Sequence, residues 1–159
     1  MIRILICLAV MFPLSAPAAE WARYVNPRFG AAVDIPTDYR VAETPSVAGD
    51  GKLFRASNGR SSILVWGGPA ASEFIAHARG LIATDEADGW SITYRSETPD
   101  WAAWSGTRSG HVFYAKSVAT CDGRQTATVR LTYPAMDVPR FDPISNRLGQ
   151  SLGQDGGCF

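Results

Sequence analysis

The chain of 159 residues carries no excess of charge, 15 Lys and Arg against 15 Asp and Glu, and no run of basic residues. A phosphate backbone is neutralised by a basic surface, so nucleic acid is not an expected partner. Histidine is scarce, His77 and His111 only, and there are three cysteines, Cys7, Cys121 and Cys158. A structural zinc site needs four ligands at workable spacing, and this set does not supply them, so no metal centre is expected. No phosphate-binding loop is present either. Gly51-Lys52 has Ser46 where a Walker A loop needs glycine and Leu53 where it needs Ser or Thr. The stretch also leads into a strand instead of the helix N-terminus that cradles phosphate, so no nucleotide or other cofactor is expected. The segment Gly106-Thr107-Arg108-Ser109-Gly110 lacks the spacing of a nucleophile elbow. No apolar run approaches the roughly twenty residues that span a bilayer.

What is present begins with "MIRILICLAVMFPLSAPAAEW". Arg3 supplies a positive start, Ile4 to Leu14 an apolar stretch, and Ala16-Pro17-Ala18 the small residues of a leader-peptidase site. This pattern predicts a signal peptide over residues 1–18, a single domain over 19–159, and a periplasmic or secreted location. Cys7 lies inside the apolar stretch and not after it, which predicts export without a lipid anchor. Two cysteines then remain, Cys121 and Cys158, and an oxidising compartment predicts a disulfide between them. The closed loop of about 38 residues would contribute roughly 4 kcal/mol in the chain-entropy description.

Along the chain, short strand patterns alternate with turns. Trp21 to Val25 reads as a strand, and Phe29, Ala31, Val33 and Ile35 alternate in a second. Residues 37–51 read as loop. Lys52 to Ala56 and Ser61 to Gly67 read as a hairpin joined at Asn58-Gly59, a type I′ signal. The unbroken apolar run Ile63 to Trp66 predicts a central strand covered on both faces. Phe74, Ile75, Ala78, Leu81 and Ile82 fall on one helical face, and Gly89 ends that helix. Trp90, Ile92 and Tyr94 alternate as a strand, followed by strands over Trp101–Arg108 and His111–Cys121. A turn at Asp122-Gly123 leads to a strand with Ala127, Val129, Leu131 and Tyr133 on one face. A closing helix is predicted with Asp142 as N-cap, Pro143 as its first residue and Ile144, Leu148 and Leu152 as its apolar stripe. The sum is an α+β fold, an antiparallel sheet of about seven or eight strands covered by two main helices.

The segment "YVNPRFGAAVDIP", residues 24–36, resembles the opening of a group of small exported bacterial proteins that share an aromatic-x-Asn-x-Arg-Phe-Gly start. The order of elements resembles the PsbP-like fold, an α/β/α sandwich shared with DcrB-type periplasmic proteins. The resemblance implies an accessory or binding subunit. It carries no catalytic residue over, because that fold has no common catalytic set.

The densest functional signal is aromatic. Trp90, Tyr94, Trp101 and Trp104 lie within fifteen residues, with His111, Phe113 and Tyr114 close behind. Trp101 and Trp104, three apart in a strand, face opposite sides. Either an exposed indole beside Arg95 or Arg108 stacks on a ligand, or the rings fill the core and a cross-strand ladder. Trp101, Trp104, Arg108 and His111 are the candidate binding residues. Asp85, Glu86 and Asp88 read as a solvated helix end, and His77 as a polar residue on a helix flank. The expected function is a non-enzymatic binding or accessory protein with a protein or cell-envelope partner. Two alternatives stay open: a hydrolase using His111 with Ser105, Ser109, Asp100 or Asp122, and a carrier with a ligand pocket between helix and sheet.

Overall fold

The computed structural model describes residues 20–42, 50–70 and 73–158. The predicted leader, residues 1–18, lies outside the described residues, as do residues 43–49 of the 37–51 stretch expected to be loop; the rest of that stretch is corrected, since it holds a three-residue strand over Tyr39–Val41 and the first residue of the strand Gly51–Ala56. Among the described residues ten strands form two sheets, and two long helices pack on them. The small sheet contains β1 (Trp21–Val25), β2 (Ala31–Pro36) and β10 (Gly153–Gln154), with β2 in the middle. The large one contains β3 (Tyr39–Val41), β4 (Gly51–Ala56), β5 (Ser62–Pro69), β6 (Ser91–Glu97), β7 (Trp101–Arg108), β8 (His111–Thr120) and β9 (Gln125–Pro134). Its strand order is β3-β4-β5-β9-β8-β7-β6, antiparallel throughout. Helix α1 (Phe74–Ala87) and helix α2 (Val138–Ser151) complete the fold. The expected antiparallel sheet with two helices is therefore observed. In the second sheet β2 pairs with β1 on one side and with the tail strand β10 on the other.

Alternation along the strands sets the layers. Ile63 and Val65 of β5 and Val129 and Leu131 of β9 point to one side, where they meet Ala31, Val33 and Ile35 of β2 and Phe141, Leu148 and Leu152 of the α2 segment. Trp104, Phe113 and Ala115 point to the other side, under Phe74, Ala78 and Ile82 of α1. Those helical residues recur every four positions, which is the spacing of one buried stripe. Leu53 pairs with Leu64 and Phe54 with Ile63, as the hairpin pattern requires. The small sheet crosses the large one closely at Gly67. A Cβ there would lie 2.8 Å from the Phe29 Cβ and 3.1 Å from the Ala31 Cβ. Both obstructing atoms sit next to backbone, so they cannot swing aside. Gly67→Ala is expected to cost about 1–3 kcal/mol through overpacking, read as a lower urea midpoint with an unchanged slope.

Three local expectations are corrected. The positive-φ pair of a two-residue turn occurs at Ser109-Gly110 (φ 48° and 75°), between the paired Arg108 and His111. At the β4–β5 turn only Gly59 is left-handed (φ 70°), and the Ala56 N–H reaches the Ser61 carbonyl across a longer loop. Helix α2 begins at Val138, after a 3-10 turn over Ala135–Asp137, so Asp142 and Pro143 lie inside it. Pro143 costs the helix one hydrogen bond. The earlier start buries Phe141, whose ring stacks on Tyr133 at 4.5 Å between centroids, so tertiary packing outweighs the proline signal. Finally, a bulge between Ile92 and Tyr94 puts these residues on opposite faces of β6, where plain alternation puts them on one. The Cys121–Cys158 disulfide is formed, with the Cα atoms 5.6 Å apart.

Candidate binding groove

The structure separates the four candidate residues. Trp104 is 1% exposed and belongs to the core under α1. Its Nε1 donates to Asp85 Oδ2 at 2.7 Å, and Arg130 Nη1 donates to the other oxygen of the same carboxylate. The Arg130 guanidinium in turn lies 3.8 Å from the Phe113 ring centroid and 5.2 Å from that of Trp90. Asp85 is thus buried and paired, and the solvated reading of the acidic cluster is corrected at this position. Arg108 is exposed, sits over Trp90 at 4.7 Å and donates to the Asp88 carbonyl. His111 is exposed, with Nδ1 3.2 Å from the Ser109 carbonyl, and no carboxylate bonds to it among the described residues. No Ser-His-carboxylate relay is therefore assembled around it. His77 is half-buried, and burial lowers its pKa. Only Trp101 lies on the face of the sheet turned toward α2.

On that face the register builds a groove. Along β7, Trp101 and Ala103 alternate away from Trp104. Lys116 of β8 pairs with Ala103, and Tyr114 with Ser105. The bulge in β6 brings Tyr94 opposite Ser105, onto the same face. The other wall is α2, through Ser145, Asn146, Gly149 and Gln150, and the groove holds about 410 Å³. The helix approaches closely because residue 149 is glycine: a Cβ would fall 2.4 Å from the Tyr114 hydroxyl. Lys116 Nζ donates to the Gly149 carbonyl at 2.7 Å and stands 5.5 Å from the Trp101 ring centroid.

The groove's electrostatics follow from partial burial. Lys116 is the single cation in the lining, no carboxylate pairs with it among the described residues, and desolvation lowers its pKa. Burial pushes the Tyr114 phenol up to about 12, with the Tyr94 phenol adding a smaller push, so it is a neutral donor and acceptor at ordinary pH. Tyr94 is 53% exposed. A larger cleft of about 590 Å³ lies between β1 and α2, floored by Trp21, Pro36, Pro143 and Ile144. There the Trp21 ring is already met by the guanidinium of Arg147 at 5.8 Å, which Asp34 holds at 2.6 Å. In the smaller groove Lys116 likewise stands by Trp101, but no carboxylate holds it among the described residues, and the Asn146 and Gln150 amides beside it bond to nothing there, which leaves convergent polar groups for a ligand. Lys116, Asn146 and Gln150 were not singled out by sequence; the detectable signal was a polar residue alternating among aromatics in β8 and a glycine on a helix.

No known sequence family matches the chain, and no curated protein sequence matches it. Solved structures do. The cyanobacterial PsbP (CyanoP) of Synechocystis sp. PCC 6803 superposes with a TM-score of 0.64 at 11% identity, covering 93% of this chain and 99% of that one. The Ran-binding protein Mog1p of Saccharomyces cerevisiae superposes with a TM-score of 0.64 at 7% identity, covering 86% of this chain and 96% of its own. At such identity the likeness is one of fold: the chain has the PsbP-like fold.

Proposed function

We propose that this chain is an exported, non-enzymatic binding module of the cell envelope and that it captures its partner in the groove between α2 and strands β6–β8. The observation that carries this reading is the groove itself. Tyr94, Trp101 and Tyr114 are gathered on one face beside Lys116, which no carboxylate pairs among the described residues, and aromatic anchors with a nearby cation are the residue types that dominate binding energy. Export is supported by the leader pattern and by the disulfide, which belongs to an oxidising compartment. The fold serves protein binding in at least one neighbour, the Ran-binding Mog1p.

The test fills the groove without disturbing the core. Asn146 is exposed on α2, so Asn146→Tyr is expected to leave the melting temperature within the range of a surface change, about 0.5 kcal/mol. Mild cross-linking in the native envelope should recover a reproducible partner with the natural chain and lose it with this variant. Equal recovery with both would rule the groove out as the binding site.

A further inference from the structure

The lining of the groove specifies more than the presence of a partner. From Trp101 the face runs past Ala103 to Ser105, which stands opposite Tyr94. Four residue rises along β7 separate the two aromatic ends, about 13 Å in an extended chain. Between them the floor is small, Ala103, and one side is a row of hydrogen-bonding groups. Asn146 and Gln150 are four apart on α2, so their amides emerge on one helical face, and neither side chain bonds within the protein among the described residues. The Tyr114 hydroxyl likewise has no protein partner there. Each of these groups both donates and accepts, and none is charged. Lys116 spends one of its three protons on the Gly149 carbonyl. It is the only full charge in the lining, and it is positive.

Resting on the groove as the binding site, the geometry points to a carboxylate-bearing oligosaccharide as the occupant. A pyranose ring offers apolar C–H faces to Trp101 and Tyr94, which present flat, amphipathic surfaces at low entropic cost. Its hydroxyls, each a donor and an acceptor, match the two amides and the phenol. Its carboxylate takes the Lys116 ammonium, and the absence of any acidic side chain from the lining leaves that attraction unopposed. The span between the aromatic ends fits a chain of several rings and exceeds a single sugar. An acidic peptide would satisfy Lys116 and bond the two amides through its backbone, but its carboxylate side chains offer no flat C–H face to Trp101 and Tyr94.

Two soluble acidic probes test this: tetragalacturonate, with the carboxylate on the ring, and N-acetylglucosaminyl-N-acetylmuramic acid, with it on a lactyl ether. Cellotetraose is the neutral control, and a glutamate-rich tetrapeptide is the competing class. Titration calorimetry and the Trp101 indole resonance are the readouts. At least one acidic sugar should bind and shift that resonance, more tightly than cellotetraose by about tenfold, the worth of one charge-assisted hydrogen bond. Lys116→Gln should erase that preference, and Lys116→Arg, which keeps the charge, should retain most of it. Gln150→Ala should weaken all sugars several-fold. The inference is overturned if neither acidic sugar shifts the Trp101 resonance at millimolar concentration. It is also overturned if acidic and neutral sugars bind alike, or if the peptide binds more tightly than both. In any of these cases, continued loss of the native partner with Asn146→Tyr would preserve the binding-module reading and remove only the ligand class.

Discussion

Replacing Asp85 by alanine is expected to cost about 3–5 kcal/mol, because it leaves a sheltered guanidinium without its counter-charge. Asp85 and Arg130 are 9% and 17% exposed as side chains, so water would not readily replace the lost partner. The same carboxylate also receives the indole N–H of Trp104, so the change orphans two donors at once. Asp85 sits in the last turn of α1, where the helix dipole disfavours an anion. Its retention there is explained by Arg130, which reaches across from β9 and ties the helix to the sheet. Against the roughly 5–15 kcal/mol that holds a domain of this size, the loss is large. A fall in melting temperature of roughly 10–15 °C should follow at the usual few degrees per kcal/mol. The double change Asp85→Leu with Arg130→Met should recover only part of it: a packed apolar pair dispenses with the charge, but the buried Trp104 N–H stays without an acceptor at a cost of about 1–3 kcal/mol. A single-variant shift below about 3 °C would show that the pair contributes no more than an exposed one.

That network marks where sequence reading stops. Periodicity identified the buried stripe of α1 through Ile82, and Asp85 falls on the same stripe one turn later. Charge alone made it read as solvated, because a lone carboxylate is rarely buried. Its partner, Arg130, is 45 residues away, and nothing local announces the pairing. The same limit applies to the two indoles. Alternation placed Trp101 and Trp104 on opposite faces, and it was right. Which face is covered depends on where α1 docks, and it docks over Trp104. Strict alternation, as in β9, is legible because it rests on a short-range rule, and the disulfide because setting Cys7 aside leaves one possible pairing. The separation into two sheets, the three-residue β3 and the two-residue β10 were not, since pairing partners and not composition define them. The groove falls in the same class: the bulge that turns Tyr94 toward α2, and the glycine that lets α2 approach Tyr114, act only once the register is set.

The second large effect concerns the covalent tie. Cys121 and Cys158 are 37 positions apart, and the loop they close contains β9, α2 and β10. Opening it returns about 4 kcal/mol of chain entropy to the unfolded state. Few other contacts hold the tail. β10 pairs with β2 over two residues, and the Asp155 N–H reaches the Gly30 carbonyl at 2.9 Å. The Arg23–Asp155 ion pair is exposed and screened, so it is a weak substitute. Phe141 and Leu148, by contrast, are buried and keep α2 on the sheet without the bridge. The Cys121→Ser, Cys158→Ser double variant should therefore remain folded with a melting temperature lower by roughly 8–16 °C. Amide exchange should accelerate first at residues 152–155 and least at Leu148, a local opening below the global one. Because Gln150 and Gly149 belong to the last turn of α2, fraying from the tail would also loosen one wall of the groove. Ligand affinity should then fall under reducing conditions even at temperatures where the protein is fully folded. A reduced protein that melts within about 3 °C of the oxidised one, with unchanged exchange at residues 152–155, would show that β10 holds itself and that the bridge is thermodynamically idle.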